Sequence, residues 1–232
     1  ELLPMEQNKQ KIAVFDIDGT IFRSNLHFEL FKGLVEYGIF PSIVLKEIEE
    51  YHDDWINRRG KYRDFEKSLI LSYQNRLKGK VVEDIEKVSR IVVQEKMEHV
   101  YVYTRDMIEK LREDHILLAI SGSPHEIVTA FTEYWKFDRA YGTVYASENG
   151  IFTSDIIFPS YEIKDHTLKN FCTEAGLSLE GSVGIGDTSG DVAFLDLVEH
   201  PIAFNPSKEL FAVAQEKQWK TVVERKDVIY EM

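Results

Sequence analysis

Two aspartates one residue apart, placed where an apolar run stops, are the first residues in this sequence able to do chemistry. The stretch KIAVFDIDGT, Lys11 to Thr20, ends Ile12, Ala13, Val14 and Phe15 with Asp16, Asp18 and Gly19. An acid there can face a ligand while its backbone stays anchored, because ligands of open α/β sheets gather beyond the carboxyl ends of the strands. The same residues also fit a strand followed by a solvated acidic turn, and other segments must separate the two readings. Two further apolar runs end in polar loops. Ile116 to Ile120 leads into SGSPHE, and Ser182 to Ile185 leads into GDTSGD, which carries Asp187 and Asp191. Lys164 precedes the last of these, on a loop or at a helix start.

The elements that must position these groups follow from periodicity. The three runs do not alternate polar with apolar, so they fit strands buried on both faces, as in a parallel sheet covered by helices. Between the first and second, apolar residues recur at helical spacing. Leu30, Phe31, Leu34 and Val35 lead to Gly38 as a left-handed stop, Pro41 opens a further helix, Phe65, Leu69, Ile70, Tyr73 and Leu77 form a stripe, and Ile85, Val88 and Val92 another. After this block Thr104 is expected to cap a helix, and Ser123 with Glu126 reads as a capping box with Pro124 at the first helical position. Asn149-Gly150 between β-prone runs predicts a hairpin, read as a flap beside the core. Helices are expected around His166 to Ala175, Val192 to Leu197 and after Ser207, with strands at Ile202 to Phe204 and near Thr221 to Val223. The fold class is α/β: a doubly wound, Rossmann-like parallel sheet from residues 11–24 and 104–232, an inserted helical cap over 25–103, and an N-terminal extension over 1–10.

Composition narrows the function. A formal charge of -12 over 232 residues argues against nucleic acid and anionic membrane as partners, since both need basic patches. No run approaches the ~20 apolar residues of a membrane span, and ELLPMEQNKQ lacks a cleavable-signal pattern. Cys172 is the only cysteine, which rules out an intrachain disulfide and suits a reducing compartment; the expected location is cytoplasmic. DIDGT lacks the glycine that an EF-hand needs at position six, where Ile21 stands, and GIGDTSGD lacks the GK[ST] ending of a P-loop.

Taken in order, DIDGT, SGS, Lys164 and GDTSGD resemble the motifs of the haloacid dehalogenase superfamily, specifically its phosphoserine-phosphatase-like branch with a helical cap inserted after the first motif. YGTVYASENGIFTSDI and PIAFNPSKELFAVAQEKQW also look like that branch, and the resemblance covers nearly the whole chain from Lys11. It implies a Mg²⁺-dependent phosphatase acting on a small phosphorylated metabolite. Asp16 would be the nucleophile that forms an aspartyl-phosphate, and Asp18 the general acid and base. Thr20, Ser121, the Gly122 and Ser123 amides and Lys164 would bind the phosphoryl group. Mg²⁺ would be held by the Asp16 and Asp187 carboxylates and the Asp18 carbonyl, with Asp191 one shell out. Dehalogenases lack the second acid of the first motif, so Asp18 speaks for phosphoryl chemistry. A phosphotransferase to a small alcohol uses the same residues, and a non-catalytic phosphate-compound binder could keep the fold.

The substrate itself is less legible. The resemblance implies a phosphoserine-like substrate, but phosphoserine phosphatases carry a glutamate that holds the amino group where Asn25 stands here, which speaks against phosphoserine itself. Arg58, Arg59 and Arg63 offer cations to a substrate carboxylate or second phosphate and equally fit a solvated face. His125 fits the site or an ordinary helix start, and Trp55, Tyr62 and Phe65 fit the inner lining of the cap or its core. Hinges for cap opening are expected near Ser24 and Tyr103.

Overall fold

The computed structural model describes residues 11–232; the expected extension over residues 1–10 lies outside the described residues. The first apolar run forms β1 (Lys11–Phe15), and four helices follow: α1 (Leu26–Glu36), α2 (Val44–Ile56), α3 (Tyr62–Leu77) and α4 (Val82–Lys96). Then come α5 (Val102–Leu111), β2 (His115–Pro124), α6 (His125–Tyr134), β3 (Arg139–Glu148), β4 (Ile151–Phe158), α7 (Lys164–Ala175) and β5 (Val183–Gly186). The chain closes with α8 (Val192–Leu195), β6 (His200–Phe204), α9 (Lys208–Lys217), β7 (Lys220–Arg225) and β8 (Val228–Glu231).

These strands make an eight-stranded sheet in the order β4-β3-β2-β1-β5-β6-β7-β8. The six inner strands pair in parallel, and β4 and β8 are antiparallel edges. From β1 the chain works outward through β2 and β3, then returns to β5 and builds the other side. The reversal falls at β1 and β5, where ligands of doubly wound sheets bind. Successive residues of β1 feed opposite layers, as a strand's two-residue period requires. Ala13 and Phe15 join the apolar cluster that runs into the four-helix block, while Ile12 and Val14 join the cluster under α7, α8 and α9. The first cluster is continuous from the sheet to Leu34, Phe65 and Val88 in the block.

Chain entry to and exit from the block lie side by side. Arg23 N–H donates to the His99 carbonyl at 2.9 Å and Tyr101 N–H to the Ile21 carbonyl at 3.0 Å, which ties the two crossings into a short ribbon.

Several local expectations give way to longer-range contacts. Pro41 does not open α2, which begins at Val44 after a tighter turn in which Val44 N–H donates to the Pro41 carbonyl. Thr104 lies inside the first turn of α5, where its hydroxyl donates to the Thr20 carbonyl at 3.0 Å. The leading N–H groups of α5 are met by Glu224 instead, at 3.1 Å from Val102 and 2.8 Å from Tyr103. Ser123 does not cap α6: β2 runs on to Pro124, which pairs with Thr143, and Pro124 itself is the N-cap without a side-chain bond. The Asn149-Gly150 turn forms as expected, with φ of 51° and 77°. The hairpin is no detached flap, because Arg139 to Tyr141 of β3 pair with β2 inside the main sheet. Its tip also docks on the helical block, where Gly79 N–H donates to the Phe152 carbonyl and Val82 N–H to the Gly150 carbonyl, each at 2.9 Å.

Candidate active site

Sheet pairing runs one residue past β1, since Asp16 N–H donates to the Ile185 carbonyl at 2.9 Å and so fixes the first aspartate against β5. A tight turn follows in which the Thr20, Ile21 and Phe22 N–H groups converge on the Ile17 carbonyl at 3.2, 2.9 and 2.9 Å. Gly19 is required twice over. Its φ is +85°, and a Cβ there would stand 2.3 Å from Asp187 Oδ2. The turn thereby brings the two acidic loops into contact, and Thr20 Oγ1 donates to Asp187 Oδ1 at 3.4 Å.

Lys164, the first residue of α7, is only 6% exposed and bridges two acids, with Nζ 2.6 Å from Asp16 Oδ1 and 2.6 Å from Asp191 Oδ1. The other Asp191 oxygen, Oδ2, accepts from the N–H groups of Asp187 (3.1 Å) and Thr188 (2.9 Å) and from Thr188 Oγ1 (3.2 Å), so both of its oxygens are committed. Asp16 differs. Its Oδ2 is buried and has no hydrogen-bond partner among the described residues.

Asp18 faces the serine loop. Its Oδ2 accepts from Ser121 Oγ at 2.6 Å and Ser123 Oγ at 2.8 Å, and its Oδ1 from Leu26 N–H at 2.5 Å, in the first turn of α1. The loop is braced from behind. Ser160 Oγ donates to the Ser121 carbonyl at 2.5 Å, Thr143 Oγ1 to the Gly122 carbonyl at 2.8 Å, and Ser123 N–H to Ser121 Oγ at 2.9 Å. The Ser123 amide, expected to face an anion, is therefore engaged within the loop.

Electrostatics follow from this crowding. Burial raises the pKa of Asp16, opposed by the Lys164 ammonium and reinforced by Asp191 and Asp18. Burial also raises Asp18, against the serine and Leu26 hydrogen bonds, and raises Asp187, with Asp16 and Asp191 adding to it. Burial alone would push Lys164 down, but Asp16 and Asp191 more than offset it and hold the lysine protonated. Among the described residues, buried acids thus outnumber the one cation that touches them. Ligand atoms of Asp16, Asp187 and Asp191 lie within 4.8 Å of one another. With the unpartnered Asp16 Oδ2 beside them, this oxygen-rich set suits a hard divalent cation.

Of the expected substrate-side residues, Tyr62 is half-buried: its hydroxyl accepts from Asn25 Nδ2 at 2.7 Å, and burial raises its pKa, with Asp18 and Asp187 among the charges that add to it. Phe65 is buried and stacks on Trp55 at 5.7 Å, which makes it core rather than lining. Arg58, Arg59 and Arg63 are exposed, and Arg59 pairs with Asp54 at 3.0 Å. His125 turns to Thr129 on its own helix at 3.3 Å. Sequence reasoning missed Thr143, Ser160, Thr188 and the Leu26 amide; only the Asx, Ser and Thr character of these loops hinted at the first three.

Comparisons with known proteins bear on the fold and the family. A 103-residue stretch is 29% identical to phosphoserine phosphatase SerB1 of Mycobacterium tuberculosis, covering 44% of this chain and 33% of that protein. The chain thus matches about a third of the length of its curated relatives. A crystal structure of a Bordetella pertussis protein of unknown function superposes with TM-score 0.75 at 17% identity, over 92% of this chain and 98% of that one. A phospho-aspartyl intermediate analogue of phosphoserine phosphatase gives TM-score 0.62 at 19% identity, over 94% and 95%. The model of the haloacid dehalogenase-like hydrolases matches residues 13–196, from β1 through the helical block to the second acidic loop, and the chain belongs to that family.

Proposed function

We propose that this chain hydrolyses a small phosphomonoester through an aspartyl-phosphate on Asp16. The observation that carries the reading is the pair of unequal oxygens on Asp16: Oδ1 is held by Lys164, while Oδ2 is buried at the strand end without a partner among the described residues. Oδ2 attacks phosphorus and the ester P–O bond breaks, with Asp18 giving its proton to the departing alkoxide. Water then attacks the same phosphorus, Asp18 takes a proton from it, and the bond to Asp16 breaks to release inorganic phosphate. Asp18 must start protonated, which its burial favours. Ser121 and Ser123, now donating to Asp18, lie where they can turn to phosphoryl oxygens, and Lys164 supplies a fixed positive charge.

Mg²⁺ suits the donor set: the Asp16 and Asp187 carboxylates and the Asp18 carbonyl would hold it, and it would supply charge neutralisation for the acids and the phosphoryl group. Asp191 shapes the loop through Lys164 and Thr188. Residues 11–24 and 104–232 act as the catalytic core and 25–103 as a cap, joined by the ribbon of Arg23 to His99 and Ile21 to Tyr101. Cys172 is buried and free, in keeping with work in a reducing cytoplasm.

The reading is tested by phosphate release from a panel of small phosphomonoesters with Mg²⁺. Turnover that vanishes in Asp16→Asn supports it; turnover that survives there rejects it.

A further inference from the structure

The serine loop is a bulge, and its shape determines where its backbone points. Ile120 of β2 pairs with Tyr141 of β3 and Pro124 with Thr143, so Ser121, Gly122 and Ser123 bow out opposite the single residue Gly142. A side chain at Gly142 would prevent this, since a Cβ there would stand 2.7 Å from His125 Cα and 2.9 Å from the Ser123 carbonyl. Carbonyls that a bulge takes out of the ladder need other partners when they are buried. Two buried hydroxyls from different elements meet them. Ser160, in the turn between β4 and α7, donates to the Ser121 carbonyl at 2.5 Å, and Thr143 of β3 donates to the Gly122 carbonyl at 2.8 Å. The two hydroxyl oxygens are 3.1 Å apart, so both carbonyls are drawn to one side of the loop.

What this does to the amides follows from peptide geometry. Across a trans peptide the C=O and the next N–H point in opposite directions, and no peptide bond among the described residues is cis. The Ser121 carbonyl shares its plane with Gly122 N–H, and the Gly122 carbonyl shares its plane with Ser123 N–H. Drawing both carbonyls back therefore turns both amides forward. One amide reports the direction: Ser123 N–H donates at 2.9 Å to Ser121 Oγ, which itself donates to Asp18 Oδ2 at 2.6 Å. Forward is the strand-end site. The turn that carries Ser160 also leads, four residues on, to Lys164 at the start of α7, so one segment sets the loop from behind and delivers the lysine to Asp16.

We infer that Thr143 and Ser160 are positioning residues that hold the Gly122 and Ser123 N–H groups toward the phosphoryl oxygens. The inference rests on the phosphomonoesterase reading above. When Ser121 Oγ turns to a phosphoryl oxygen, Ser123 N–H stays aimed, because its peptide plane is fixed from the far side and not by the hydroxyl that has left it. The amides then meet the anion with little rearrangement, as preorganised donors must.

The test uses a pair of substitutions at one position. Thr143→Val keeps the side-chain size and removes the hydroxyl, whereas Thr143→Ser keeps the hydroxyl. With Mg²⁺ present, calorimetric affinity for inorganic phosphate should fall about 10-fold in Thr143→Val and stay within about twofold of native in Thr143→Ser. The kcat/KM for a phosphomonoester should fall about 10- to 100-fold in the valine variant and recover in the serine variant. Urea midpoints identify the folded variants, and a merely structural hydroxyl would lower the midpoint without changing the phosphate affinity of folded protein. Ser160→Ala should repeat the valine result, and it decides the matter if Thr143→Val does not fold. Native affinity in the folded hydroxyl-free variants would overturn the assignment. In the native protein, phosphate should move the amide proton resonances of Gly122 and Ser123 downfield; resonances that stay in place, or native protein that binds no phosphate, overturn it as well. If no ester is hydrolysed but the phosphate affinities fall as described, the hydrolase reading fails and the positioning role stands.

Discussion

Replacing His27 with phenylalanine should flatten the loss of stability on mild acidification. His27 lies in the first turn of α1, is 3% exposed, and packs edge-on against Tyr73 with ring centroids 4.6 Å apart. Its Nε2 is buried without a partner among the described residues, and burial pushes its pKa down from 6.5 to about 3. The unfolded chain therefore binds a proton over that interval and the folded chain does not, so stability is fully present above the unfolded pKa and falls as pH drops. Each unit of pH within the interval is worth about 1.4 kcal/mol. Between pH 7 and pH 5 the histidine should remove about 2 kcal/mol. Phenylalanine keeps the volume and the edge contact and cannot titrate. Urea unfolding of both proteins at pH 7, 6 and 5 should thus show a stability difference that moves by that amount in favour of the variant. A difference that stays constant across the three pH values would mean that His27 is not held neutral, and the reasoning would fail.

Glu126 should show the opposite slope. Burial lifts its pKa to about 7 and Oε2 has no partner among the described residues, so its unfavourable charging grows as pH rises from its unfolded value of 4.5 to that point. Glu126→Gln should gain about 3 kcal/mol relative to the parent between pH 4.5 and pH 8 in the same urea assay. Lys164→Met leaves Asp16 and Asp191 without their shared cation. It should lower stability by about 3–5 kcal/mol near pH 8, less near pH 5 where the acids take up protons, and cut turnover about 10²- to 10³-fold. Glu224→Ala removes the acceptor that meets the first N–H groups of α5 and should cost about 1–2 kcal/mol, read as a lower urea midpoint.

Where the sequence could be read, the signal was a pattern with no competitor. Ile12 to Phe15 are apolar on both faces, so the only economical place for them is the centre of a covered sheet, and Asp16 and Asp18 follow at its carboxyl end. Asn149 and Gly150 both adopt positive φ, as their types announce. Errors arose where a side chain had two partners to choose from. Ser123 has a good capping sequence, but its hydroxyl goes to Asp18, 105 residues away, and a local rule cannot weigh that alternative. Thr104 is drawn to the Thr20 carbonyl in the same way, and α5 is capped from β7, far along the chain. Lys164 reads from sequence as a surface lysine as readily as a site residue; only the fold shows it bridging two buried acids. The strand β8 was missed because Val228 to Glu231 are exposed and lack the buried pattern of the inner strands.

A chemical-quench experiment reaches the mechanism itself. Protein is mixed with Mg²⁺ and a phosphomonoester labelled in the phosphoryl group, stopped in acid within a turnover, and the label on protein is counted. We expect label bound to Asp16 that is released by hydroxylamine, as an acyl phosphate requires, and none in Asp16→Asn. Turnover with no labelled protein at any time, or label that persists in Asp16→Asn, would contradict an aspartyl-phosphate at this residue.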